Sequence, residues 1–175
     1  MGRWLLVVAF AANMSVAGWS EAFAGLANRE GPRERNNLEE MLGYYTGVIE
    51  FGAVTKAELG NAFYNRGNAF YYLGVLEKAI DDYSRAIVLN PDQAEIFYNR
   101  ANSYADLGDH ERAIDDYSQA IGLKPDFDAA YYNRANSHLR RGQLLPAVED
   151  YKKAFSLKPE ERLYRERIEA LGLAE

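Results

Sequence analysis

The sequence predicts an all-α protein, a solenoid of stacked antiparallel helix pairs closed by a terminal capping helix. Three observations predict it. The chain repeats itself in steps of 34 residues: Asn65-Arg66, Asn99-Arg100 and Asn133-Arg134; Ala79, Ala113 and Ala147; Tyr83, Tyr117 and Tyr151. Within each step apolar residues recur at helical spacing, as at Phe97, Ala101 and Tyr104, then Ala113, Tyr117, Ala120 and Ile121. Each step is also punctuated, with glycine (Gly74, Gly108, Gly142) between its two apolar faces and proline (Pro91, Pro125, Pro159) after the second. Glycine suits the left-handed position just past a helix, and proline ends one. A fixed period of this length is the mark of a repeat architecture, in which each unit buries its apolar face only against its neighbours.

The elements follow in chain order. Residues 1–24 read as a secretory signal peptide: Arg3, the apolar run Trp4 to Ala12, then the small residues of Ala22-Phe23-Ala24, with cleavage expected after Ala24. Asn13 and Ser15 interrupt the apolar run before it reaches membrane-spanning length, so a membrane role is expected only if this segment stays uncleaved. Residues 25–36 read as a linker. Residues 37–59 read as the second helix of a degenerate first repeat followed by an insertion: the stretch from Leu42 echoes the stretch from Ile80, with an offset of 38 rather than 34. Asn37 with Glu40, and Thr55 with Glu58, have the spacing of capping boxes. Full repeats are expected over residues 60–93, 94–127 and 128–161. Leu163, Tyr164, Ile168 and Leu171 give residues 162–175 one apolar stripe, suited to a cap with its other face in water.

The stretch from Tyr98 to Pro125 resembles a tetratricopeptide repeat. Phe97, Ala101, Tyr104, Leu107-Gly108, Ala113, Tyr117, Ala120 and Pro125 supply that family's pattern in order, as do Phe63, Gly67, Phe70, Leu73-Gly74, Ala79, Tyr83, Ala86 and Pro91 one repeat earlier. The third copy departs at His138 and Arg141. The resemblance implies a curved stack whose first helices line a concave groove that meets protein or peptide partners. The groove residues it implies are Tyr64, Asn65, Asn68, Tyr71, Tyr98, Asn99, Asn102, Tyr132, Asn133 and Asn136. The family's carboxylate clamp is incomplete here. Asn68 and Asn99 match its asparagines, but its basic positions hold Tyr64, Ala129 and Asn133, which argues against the acidic tails of heat-shock chaperones.

Asparagine costs about 0.6 kcal/mol more than alanine inside a helix, so six in register imply partners. Two readings stand: the amides bind the backbone of an extended peptide, or they bridge adjacent repeats. Arg66, Arg100 and Arg134 also carry two readings, an anion-binding ladder or pairing with acids such as Asp82, Asp116 and Asp150 on the second helices.

Composition narrows the function. The net charge is −6 over 175 residues, which argues against nucleic acid. With no cysteine, disulfides, thiol catalysis and thiolate metal sites are excluded. Paired acids such as Asp115-Asp116 point about 100° apart on a helix and do not converge on one proton or ion. No catalytic residue, metal site, cofactor or small-molecule substrate is expected. His110 reads as a solvated turn residue and His138 as a half-buried structural one. The function expected is a non-catalytic adaptor of the bacterial envelope, exported across the inner membrane to the periplasm; the alternative is a structural module assembling a larger complex through its solenoid ends.

Overall fold

The computed structural model describes residues 32–51 and 55–172. The expected signal peptide and most of the expected insertion lie outside them. Every regular element among the described residues is helical: α1 (Pro32–Phe51), α2 (Lys56–Tyr72), α3 (Leu76–Leu89), α4 (Ala94–Asp106), α5 (His110–Leu123), α6 (Asp128–Arg140), α7 (Leu144–Leu157) and α8 (Arg162–Ala170). None of these is long and apolar enough to cross a membrane.

The chain divides into two units, Met1–Glu40 and Met41–Glu175. In the first, the described residues are the opening turns of α1, where exposed Arg35 and Glu39 face each other one turn apart. The helix starts at Pro32, so residues 32–36 are helical rather than linker, and Asn37 lies inside the helix rather than capping it. Proline fits the first turn because its missing N–H is one that the helix leaves unpaired there.

The second unit is a stack of antiparallel pairs: α2 with α3, α4 with α5, α6 with α7. Each second helix packs on the first helix of the following pair, and α7 packs on α8. Local chemistry sets the element ends. Thr55 caps α2: its hydroxyl accepts from the Glu58 N–H at 3.3 Å, while the Glu58 carboxylate accepts from the Thr55 N–H at 2.8 Å. Backbone and side-chain bonds from Thr55 hold the Glu58 carboxyl below its ordinary pKa. The turn inside each pair is the same three times. Gly74, with φ +73°, donates to the Tyr71 carbonyl and Val75 to that of Phe70, both at 2.9 Å. Gly108 and Gly142 repeat this turn at φ +81° and +73°. This double bond closes the helix end only with the glycine left-handed.

The core repeats with the sequence. Ala79, Tyr83 and Ala86 on α3 are fully buried, as are Ala113, Tyr117 and Ala120 on α5 and Ala147, Tyr151 and Ala154 on α7. Small residues on the first helices admit the tyrosines: Tyr83 lies so close to Gly67 that a Cβ there would meet its ring at 2.8 Å. Tyr164 and Ile168 of α8 complete the last layer against Tyr132 and Tyr151, leaving Arg162, Arg165, Glu166 and Glu169 exposed. The molecule is an all-α solenoid of stacked helix pairs with a terminal capping helix.

Candidate functional site

Two periodic side-chain devices fix what the first helices have left to offer. The first consumes the repeated arginines. Arg66, Arg100 and Arg134 each grip the aspartate of their own second helix bidentately: Asp82 at 2.7 and 2.8 Å, Asp116 at 2.7 and 2.8 Å, Asp150 at 2.7 Å twice. The third donor, Nη1, reaches back to a hydroxyl of the preceding second helix: Thr46 for Arg66, Ser84 for Arg100, Ser118 for Arg134. Aromatic rings flank the guanidinium, Phe63 and Phe70 in one repeat, Phe97 and Tyr104 in the next. In the third, Tyr131 is one ring, and His138 stands in place of the other. His138 Nδ1 is 2.7 Å from Gln143 Oε1, and its Nε2 4.0 Å from Asp150. These arginines therefore clamp three helices together and leave no anion ladder.

The second device consumes the asparagines. Tyr83 donates its hydroxyl to Asn68 Oδ1 at 2.7 Å, and the same oxygen accepts from Asn99 Nδ2 at 3.0 Å. Asn99 Nδ2 also donates to the Tyr64 hydroxyl at 3.0 Å. One repeat later Tyr117, Asn102, Asn133 and Tyr98 form the same ring of bonds, at 2.6, 3.1 and 3.0 Å. The pattern begins a third time with Tyr151 donating to Asn136 at 2.6 Å. Of the two readings of the asparagines, inter-repeat bridging is what their geometry does. Burial pushes the Tyr64 and Tyr98 hydroxyls up from their ordinary pKa, against the opposing effect of their asparagine neighbours. They remain neutral hydrogen-bonding groups through the physiological range.

The sequence-predicted residues do share one face of α2, α4 and α6, but not equally. Asn68 and Tyr132 are buried, Tyr132 beneath a stacked Tyr164 ring 4.9 Å away. The other eight are half-buried. Asn99, Asn102, Asn133 and Asn136 spend part of their amide groups on the ladder. Asn65 heads its row, with no hydrogen bond from its side chain among the described residues. Tyr71 donates to Asp106 across to the next first helix at 2.7 Å. Its own burial, then Asp106, raise its pKa well above that of a free tyrosine.

Sequence reasoning did not foresee the pairings at the edges of this face, although Glu95 and Asp106 lie on the stripe it traced: Tyr71 donates to Asp106, Tyr164 donates to Asp128 at 2.6 Å, and Lys124 pairs with Glu95 at 3.2 Å. It also missed Arg167, whose place one period beyond Asn133 was visible in the numbering. His110 is not a solvated turn residue. It opens α5, and its Nδ1 is buried with no partner among the described residues.

Comparison with known proteins agrees with this geometry. Models of the tetratricopeptide repeat match residues 94–127 and 128–161, and a model described as a TPR repeat matches residues 67–108. No curated protein sequence matches the chain. Among solved structures, MamA is similar at 20% identity with a TM-score of 0.71, over 91% of this chain and 86% of that one. The second TPR of Spaghetti (RPAP3), bound to the HSP90 peptide SRMEEVD, is 29% identical with a TM-score of 0.57, over 58% of this chain and 94% of that one. The second TPR domain of human RPAP3, in complex with the HSP70 peptide SGPTIEEVD, is 26% identical with a TM-score of 0.64, over 67% and 98%.

Proposed function

Because this chain is a tetratricopeptide repeat protein, we propose that it is a non-catalytic adaptor of the bacterial cell envelope that binds an extended peptide or partner protein along its first helices. One observation carries the reading. The first helices of three successive repeats present tyrosine and amide side chains in register, while the repeated arginines beside them, Arg66, Arg100 and Arg134, are neutralised inside their own repeats. Such a face offers flat apolar area and hydrogen bonds without strong charge, which suits a peptide backbone. Two structural neighbours, both RPAP3 domains solved with bound peptides, support a peptide as the ligand class. The export part of the proposal rests on Arg3, the apolar run after it, and Ala22-Phe23-Ala24. Assembly through the solenoid ends is the weaker alternative, since α8 turns Arg162, Arg165, Glu166 and Glu169 outward.

The test is affinity capture with the tagged full chain from cells fractionated into envelope and cytoplasm. Asn65 and Tyr71 are the residues to change, because neither belongs to the bridging ladder. A partner recovered in the envelope fraction and lost with Asn65→Ala plus Tyr71→Ala, in a variant whose melting curve shows it folded at the capture temperature, is the expected result. A partner retained by that variant removes the groove reading; bait found intact in the cytoplasm removes the envelope.

A further inference from the structure

The third copy of the repeat departs from the first two at one turn, between α6 and α7. Within residues 140–146, Arg140 stands where the earlier copies have Tyr72 and Asp106, and Arg141 where they have Leu73 and Leu107. Leu145 stands where they have the exposed acids Glu77 and Glu111, and Pro146 where they have Lys78 and Arg112. The end of the first helix has thus become basic and the start of the second apolar. Leu144 and Leu145, which open α7, are 54% and 78% exposed, and Pro146 after them is exposed as well. Among the described residues no other two large exposed apolar side chains adjoin in the sequence. A single exposed leucine needs no explanation, but three consecutive exposed apolar residues cost solubility unless they serve a contact.

Free cations flank this apolar tip. The exposed stripe of α7 runs from Leu145 through Glu149 to Lys152, about two turns on, with exposed Lys153 beside it. Lys152 stands where Ser84 and Ser118 accept from the arginine of the next pair. Ile168 holds the register of that arginine after the last pair, so the lysine is left to solvent. Neither lysine makes a hydrogen bond or ion pair among the described residues, and nor does exposed Arg140 across the turn. Arg141 is neutralised by Glu111 at 3.4 Å. Against the three free cations, the exposed stripe of α7 carries a single carboxylate, Glu149.

We infer that this face docks on the surface of an anionic lipid bilayer, with Leu144, Leu145 and Pro146 entering the boundary between headgroups and acyl chains and Arg140, Lys152 and Lys153 meeting lipid phosphates. Such docking needs only shallow entry, about 5–10 Å, by a few apolar side chains. Long cationic side chains suit its rim, because their stems lie along the apolar layer while their heads stay with the phosphates. Each basic residue close to an anionic surface strengthens binding roughly fivefold. A stable protein interface is a poorer match. It buries about 800 Å² on each partner around aromatic anchors and is depleted in lysine, whereas this tip is three contiguous apolar residues with lysines behind them. The patch centres on a second helix, so it goes beyond the peptide groove on the first helices and stands or falls separately from it.

The chain has no cysteine, so one introduced thiol carries one label at a chosen place. Leu145→Cys and, as the control, Val88→Cys, 73% exposed on α3, are each labelled with nitrobenzoxadiazole in the full chain. They are titrated with vesicles of equal parts phosphatidylglycerol and phosphatidylcholine, and with vesicles of phosphatidylcholine alone. The apolar run from Trp4 is common to both labelled proteins, so a difference between them reports the α6–α7 turn. The label at 145 is expected to shift to the blue and brighten about twofold or more with the anionic vesicles only, and the label at 88 to stay as it is in buffer. Adding Arg140→Gln, Lys152→Gln and Lys153→Gln to the 145-labelled chain should raise the lipid concentration for half response at least tenfold, and adding Glu149→Gln should lower it. Every altered position is exposed, and melting curves check that each protein is folded. No change at 145 up to millimolar lipid, an equal change at 88, or an equal response to phosphatidylcholine alone overturns the docking face. So does a half-response concentration unmoved by loss of the three cations.

Discussion

A charged side chain inside a repeat needs every one of its donors placed, and Arg100 shows how this chain does it. Two nitrogens face Asp116, the third faces Ser84, and Phe97 and Tyr104 cover the planar group. Bidentate geometry repays part of the cost of taking both charges out of water, so the pair is worth most as a unit. Removing one partner leaves the other charge buried and unanswered. Arg100→Met is expected to cost about 3–5 kcal/mol of unfolding free energy, and Arg100→Met with Asp116→Leu well under the sum of the two single changes. Urea denaturation of the four proteins measures this. Additive losses would show that Arg100 and Asp116 act independently and that the clamp is not a stabilising pair.

Between helices, the same economy explains which features the sequence revealed. The 34-residue period placed α2 to α7 because glycine, alanine, tyrosine and proline each do one local job that no other residue does as well there. The start of α1 was hidden because Asn37 and Glu40 imitate a cap, whereas Pro32 at the first helical position was the better signal. The site was less legible for a different reason. An asparagine that binds a ligand and one that bridges repeats have the same side chain, the same position and the same poor helix propensity, and only the partner distinguishes them. Asn99 has two partners on α2, so Asn99→Ala loses two bonds and leaves Asn68 Oδ1 with Tyr83 alone. At roughly 0.5–1.5 kcal/mol per bond, the loss exceeds the ~0.6 kcal/mol gained in helix propensity. The variant is expected to melt lower than wild type. Melting at or above the wild-type temperature would mean that the bridge contributes nothing and that the amide is held for some other purpose.

Across the whole stack, every device is shared with a neighbour, so position in the row decides how firmly a helix is held. The α4–α5 pair has a neighbour on both sides: Arg100 reaches back to Ser84, Ser118 receives Arg134, and the asparagine bridge forms with α2 and again with α6. The α6–α7 pair has its arginine and its bridge on one side only. Position 152 carries lysine where Ser84 and Ser118 accept, and position 168 carries isoleucine where the arginines donate. What holds its outer side is α8, through buried Tyr164 and Ile168 and the bond from Tyr164 to Asp128. In a linear array stability is close to a sum of unit and neighbour terms, so loss of the last contact is felt first by the adjoining pair. Native-state hydrogen exchange is expected to show the slowest amides in α4 and α5, and faster exchange in α8. Removing residues 161–175 uncovers Tyr132 and Tyr151. If ~150 Å² of apolar surface is exposed, at about 25 cal/mol per Å² the loss is ~4 kcal/mol, a large part of a small domain's stability. Exchange in α6 and α7 should then accelerate by far more than in α4 and α5. Equal acceleration in all the pairs would show one all-or-none unit rather than a row of coupled ones, and no acceleration would show that α8 covers nothing that matters to the stack.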